Sequence, residues 1–334
     1  IGYNGCNNFL GNVLAPYVAY IEEVYTPPPT MLGVPSSRNE LETSPEELLK
    51  VRQALREMGI RFNLVFNFDG MHDFDAVADN RLTFATDYFE PDDVTVAGTY
   101  LIDMFSRYLD YPLCISIIHD INSLNQLDML LERDTRGLIK TYTIGRRRTF
   151  DPAFIRLVRD QYPELTLKLM VNEGCIYDCP DQTFHSCSLT MGADYPSSFP
   201  PFYCGKLEPD QHWRFLTGQY IPPKFLRRYL GLVDRFKFST RGLTNRDFRW
   251  ILGQYVAEED ITIRDAILTA QGGCLFAPTY VEGPPLRTEE GIERRDCDIY
   301  MNRYPDDYFD VRSQCDHNCS ACGYCQRIFY EDTR

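Results

Sequence analysis

Eight short, apolar, β-rich runs recur along this chain with helical patterns between them, and that alternation narrows the fold more than any other feature. The runs are Ile1–Tyr3, Ile21–Tyr25, Arg61–Asn67, Asp92–Ala97, Pro112–Ile117, Gly137–Tyr142, Thr166–Val171 and Val233–Ser239. Helix starts fall between them. Ser44-Pro45-Glu46-Glu47 reads as an N-cap, a proline at the first helical position and a capping-box glutamate. Asp151-Pro152 opens a helix in the same way, and Thr244-Asn245-Arg246-Asp247 opens another after the eighth run. The pattern predicts an α/β protein of parallel strands, a (β/α)8 TIM-like barrel. The competing doubly wound open sheet lacks a glycine-rich phosphate fingerprint after any strand. No internal repeat is visible.

The barrel is expected over residues 1–259 and includes a long cysteine-bearing loop, 172–222. A C-terminal extension with a cysteine-rich tail is expected over 260–334. With 334 residues, 44% of them hydrophobic, the chain can bury a substantial core. Loops as long as Thr26–Thr43 and Asn172–Pro222 are usually functional. Active sites of such barrels lie at the carboxyl ends of the strands. Those ends carry Asn4, Cys6, Asn67, Asp69, Thr99, His119, Arg146, Asn172, Glu173, Cys175, Thr240 and Arg241. Four of these are the catalytic candidates. His119 suits a general base or a hydrogen-bond donor to substrate, because imidazole titrates near neutrality. Glu173 and Asp69 suit proton handling, and Arg241 suits an anionic substrate group. The bland alternatives are a structural histidine, loop-capping carboxylates and a structural ion pair.

Twelve cysteines cluster at short spacings. In a chain this large that favours metal binding over disulfides, and a reducing, cytoplasmic setting. The tail reads Cys315-x3-Cys319-x2-Cys322-x2-Cys325, close to the spacing used for iron–sulfur clusters. The middle set is Cys175-x3-Cys179-Pro180, with Cys187 and Cys204 further along and His185 as the alternative to Cys187. Thiolates this dense suit one or two [4Fe–4S] clusters, with structural zinc as the alternative. Cys6, Cys114, Cys274 and Cys297 read as ordinary buried thiols. Net charge is −14, which argues against a nucleic-acid partner. Arg146-Arg147-Arg148 is the one local basic run, a solvated loop or an anion clamp. No apolar run of spanning length appears, so no membrane partner is expected. No signal peptide is visible, although a chain beginning at Ile1 without Met is compatible with a lost leader.

Several stretches resemble the collagenase-like peptidase superfamily. They are Val24-Tyr25 with the Pro-rich loop, Phe62–Asn67, Asp93–Ala97, Leu169–Cys175 through Cys179-Pro180 to His185, Ile221–Leu226, Phe236–Arg241 and the cysteine tail. Together they span nearly the whole chain. That superfamily also holds iron–sulfur proteins for oxygen-independent hydroxylation of ubiquinone precursors and of tRNA. The resemblance implies a TIM-like barrel with a [4Fe–4S] cluster held by cysteines of the middle loop. The peptidase members carry a histidine–glycine–alanine–cysteine type signature. Here the matching stretch is Val171-Asn172-Glu173-Gly174-Cys175, without the histidine; the resembled branch also carries a second cysteine shortly after the one matching Cys204, which this chain lacks, so the fourth ligand of the middle site stays open between Cys187 and His185. The leading expectation is therefore a cytoplasmic iron–sulfur oxidoreductase acting on a small or carrier-linked substrate by oxygen-independent hydroxylation or related redox chemistry. It would take electrons from a donor protein and could pair with a related cluster protein. The alternatives are a radical-SAM-type enzyme using Cys315, Cys319 and Cys322, a peptidase or hydrolase using the cysteine loop with structural zinc, and a non-catalytic cluster-bearing partner.

Overall fold

Seven of the eight runs pair into one sheet. The computed structural model describes residues 1–32, 43–67, 74–183, 207, 209–239, 244–259, 261 and 304–332. Its strands are β1 (Glu23–Thr26), β2 (Arg61–Phe66), β3 (Asp93–Val96), β4 (Leu113–Ile115), β5 (Ile139–Thr143), β6 (Thr166–Met170), the short β7 (Asn172–Glu173) and β8 (Gln219–Tyr220), and β9 (Arg235–Lys237). The large sheet has the order β1-β2-β3-β4-β5-β6-β9, and every pairing in it is parallel. β7 and β8 form a separate antiparallel pair just beyond the end of β6.

Helices lie between the strands as the caps predict. Ser44 and Glu47 form a complete capping box at the start of α1 (Pro45–Glu57). α2 (Phe74–Phe89), α3 (Thr99–Tyr108) and α4 (Leu124–Leu131) follow. Asp151 caps α5 (Pro152–Gln161) and Thr244 caps α6 (Asn245–Ala257), each through its side chain. Among the described residues, no helix is long and apolar enough to cross a membrane.

The first run behaves differently. Ile1–Tyr3 makes a single parallel bridge, Gly2 to Tyr25, rather than a strand. Its backbone bonds are Tyr25 N–H to Ile1 O at 2.8 Å and Tyr3 N–H to Tyr25 O at 2.9 Å. Gly5 then turns the chain away at φ 71°, so too few residues remain for a ladder. The result is a curled, seven-stranded half-barrel, coarser than the closed eight-stranded barrel expected. Side chains, not a ladder, join the two edges. The Tyr25 hydroxyl donates to Phe238 O at 2.5 Å, and Arg235 of β9 pairs with Glu22 and, at 3.5 Å, with Glu23.

The two faces of the sheet differ sharply in chemistry. Val24, Phe62, Leu64, Phe66, Val94, Val96, Leu113, Ile115, Leu167 and Leu169 are buried on one side of the period-two pattern and belong to the main core. Glu23, Asn63, Asp93, Thr95 and Lys168 alternate with them and are buried as well. Lys168 Nζ lies 2.6 Å from each carboxylate oxygen of Glu23, across strands that are not neighbours. Asp93 takes Arg61 at 2.9 Å and the amide of Asn63, which in turn accepts from Thr95 at 2.8 Å. The concave interior is thus a polar network of paired charges and hydrogen bonds, which is how buried charge is tolerated.

The tail folds back onto this frame as α7 (Tyr308–Ser313), α8 (Cys319–Cys322) and α9 (Tyr324–Asp332). Phe309 packs against Phe150, Phe225 and Tyr229. The Tyr308 hydroxyl donates to Leu216 O at 2.7 Å, and Lys224 Nζ to Tyr304 O at 2.6 Å. The strand expected near Asp298–Asn302 lies outside the described residues.

Candidate functional site

Parallel strands deliver their carboxyl ends to one rim, and Asn67, His119, Arg146, Asn172 and Glu173 all follow such ends. After β4, Ser116 accepts from Ile118 N–H at 3.3 Å and starts a single 3-10 turn, Ile117–His119. Asp120 ends that turn at φ 50°, in the left-handed region. Gly98 N–H donates to His119 Nδ1 at 2.9 Å, which ties this turn to the end of β3.

After β5 the chain passes Gly145 into a second 3-10 turn, Arg146–Arg148. A Cβ at Gly145 would sit 2.1 Å from Ile121 O and 2.8 Å from Asn122 Oδ1, so only glycine allows this approach. The Tyr142 hydroxyl donates to Ile121 O at 2.9 Å and Arg148 Nε to Asn122 O at 2.7 Å, which locks the two loops together. Arg146 is turned inward. Its side chain is 3% exposed, against 44% for Arg147 and 36% for Arg148.

Arg146 Nε lies 3.4 Å from Glu173 Oε2, and Glu173 is itself buried. Cys175 and Asp120 also act on the guanidinium. Burial works against its charge, but Glu173, Cys175 and Asp120 together outweigh that, so Arg146 is held protonated more firmly than usual. One Asp120 oxygen, Oδ1, is buried without a hydrogen-bond partner, as is Asn67 Oδ1.

The cysteine loop is held by its neighbours. Asn172 donates to Ser239 O at 2.7 Å and accepts from Ser239 N–H at 2.8 Å, fastening the end of β6 to the segment after β9. Cys175 and Cys179 are half-buried, and burial pushes the Cys179 thiol pKa up. Arg147 pairs with Asp178 at 3.1 Å. The Tyr177 ring stacks on His317 of the tail, with centroids 3.3 Å apart and planes within 3°.

Of the residues singled out by sequence, the rim gathers Glu173, Cys175 and Cys179 in one segment, with His119 two loops away. Cys315, Cys319, Cys322 and Cys325 line a separate cavity in the tail. Asp69, Arg241, Cys187, Cys204 and His185 lie outside the described residues. Asp120 and the central place of Arg146 were not anticipated. The basic run after the fifth strand was the available signal, but nothing in three consecutive arginines says which one turns inward.

No family model matches the sequence. The chain is 24% identical over 297 residues to the "Uncharacterized protease MJ1657" of Methanocaldococcus jannaschii, across 85% of this chain and 80% of that protein. A solved structure, that of the U32 peptidase Mk0906, aligns over 64% of this chain and 83% of its own with a TM-score of 0.45 and 15% identity. The relative in M. jannaschii is named as a protease, and this overturns the expectation of an iron–sulfur oxidoreductase performing oxygen-independent hydroxylation.

Proposed function

We propose that this chain is a peptidase-type hydrolase of the collagenase-like kind, working through Cys175 at the rim of the half-barrel. The observation that carries the proposal is the buried Arg146 with Glu173, Cys175 and Asp120 around it. The relation to a protein named as a protease supports it along most of both chains.

The chemistry follows from that grouping. A cation beside a cysteine favours the thiolate, which is the nucleophilic form. The Cys175 sulfur attacks the peptide carbonyl carbon, the C–N bond breaks, and the amine leaves with a proton. Water then hydrolyses the thioester to a carboxylate and restores the thiolate. His119 Nδ1 already accepts from Gly98, so the neutral ring carries its proton on Nε2. That makes His119 a donor to the developing oxyanion rather than a base. Asp120, with its unpartnered oxygen, is the group for proton transfer to and from the attacking water. Glu173 is a positioning residue that holds Arg146 in place.

Fluorogenic peptides and unfolded collagen chains are the test substrates. The wild-type protein is expected to cleave them. Cys175→Ala should lose at least about 10³-fold in kcat/KM, and Cys179→Ala should lose far less. Equal cleavage by wild type and Cys175→Ala, or no cleavage of any unfolded chain by the wild type, would refute the proposal.

A further inference from the structure

We infer that the C-terminal tail is a functional part of the rim, with His317 a positioning residue that holds the turn following Cys175; the inference rests on the peptidase reading above. The chain between Cys175 and Cys179 is a tight turn. Cys179 N–H donates to Ile176 O at 3.3 Å, and Asp178 takes φ 49°, in the left-handed region. Ile176 is buried in the main core, so the turn is anchored on its inner side. Its outer side is gripped from two directions. Arg147 reaches Asp178 at 3.1 Å from the loop after β5, and the Tyr177 ring lies flat against His317 of the tail.

A fixed frame presents His317. Its φ is 60°, and its N–H is 3.4 Å from the Cys315 sulfur. Asn318 N–H donates to Asp316 Oδ1 at 2.9 Å, which closes the segment on itself. Arg312, just before it, is buried and donates to Leu216 O and Thr217 O, each at 2.9 Å, and it also bonds the Cys325 sulfur of α9. The tail is thus fastened at both ends of the segment that carries His317.

The same arginine reaches the site by a second route. The carbonyls it holds lead directly into β8, and β8 pairs with β7, Gln219 opposite Glu173 and Tyr220 opposite Asn172. Glu173 is the carboxylate that holds Arg146. Cys175 therefore lies between two fastenings that both end in the tail, the β7–β8 pair before it and the Tyr177–His317 stack after it. One ring pair adds little to the stability of a whole fold. Its weight falls on geometry, because a reacting group displaced by about 1 Å costs on the order of 10²-fold in rate.

The test removes the stack while sparing the backbone. His317→Asn takes away the ring but keeps a residue that tolerates the left-handed conformation. Tyr177→Ala takes away the other ring, and Tyr177→Phe keeps it. In the full chain, His317→Asn and Tyr177→Ala should each lower kcat for fluorogenic peptides by about 10–100-fold with KM little changed. The double variant should be no slower than the slower single, since both remove one interaction. Tyr177→Phe should keep the wild-type rate. Hydrogen exchange read by mass spectrometry should rise over residues 176–182 in His317→Asn, because the Cys179 and Gln182 N–H groups are bonded within that turn. Wild-type kcat in His317→Asn, additive losses, unchanged exchange, or a loss of kcat matched by a lower urea midpoint would each overturn the inference. Exchange does not depend on cleavage. If the wild type cleaves no peptide, the peptidase reading falls, while the exchange alone still decides whether the tail holds the turn.

Discussion

Replacing Lys168 by Met is expected to destabilise the protein by about 3–5 kcal/mol, because it leaves the Glu23 carboxylate buried without its main partner. Lys168 Nζ is 2.6 Å from both Glu23 oxygens, while Arg235 stands off at 3.5 Å. The pH dependence gives this prediction a second readout. Burial is the largest influence and raises the Glu23 pKa, but Lys168 and the other cations around it together outweigh burial and hold it below its usual value of 4.5. A carboxylate lowered in the folded state contributes stability above its unfolded pKa and loses it as pH falls through the folded value. The difference between wild type and Lys168→Met should therefore be full near neutrality and should shrink on acidification below about pH 4.5. Urea unfolding at a series of pH values measures both. A difference under about 1 kcal/mol, or one that grows in acid, would mean that the interior pair does not hold the curled sheet together.

Arg146→Met should reduce peptide cleavage by about 10²–10³-fold, most of it in kcat. The guanidinium sits where charge gathers, beside Cys175, Asp120 and Glu173. Without it the thiolate loses its cation, and the buried Glu173 carboxylate loses its ion pair with Arg146. Alkylation of Cys175 by iodoacetamide at neutral pH should slow in parallel, since reactivity follows the thiolate fraction. Unchanged alkylation with lost cleavage would assign Arg146 to substrate binding instead.

The sequence made the sheet legible because its signals are local. Seven alternating runs lie within two residues of the strands at both ends, since period-two burial and N-capping are written in neighbouring residues. The failure was at the edge. Ile1–Tyr3 looks like a strand by composition, but a ladder needs length and a free partner edge, neither of which composition records. The rim was half legible. His119, Glu173 and Cys175 follow from strand ends, whereas Asp120 matters through a left-handed turn and one orphaned oxygen. Arg146 differs from Arg147 and Arg148 only in where Gly145 lets the backbone approach Ile121. The polar interior was missed for a related reason. Asn63, Asp93 and Lys168 occupy the positions that alternate with apolar ones, and pattern reading assigns such positions to solvent. Only the curl of the sheet turns them inward.

The most direct measurement is an acid quench of the wild-type protein during turnover of a peptide ester, followed by mass spectrometry of the digested protein. The proposed mechanism predicts an acyl group joined by a thioester to the peptide containing Cys175, absent from Cys175→Ala and released by hydroxylamine. Turnover with no acyl group on Cys175, or with the acyl group on another residue, would contradict the account at its centre.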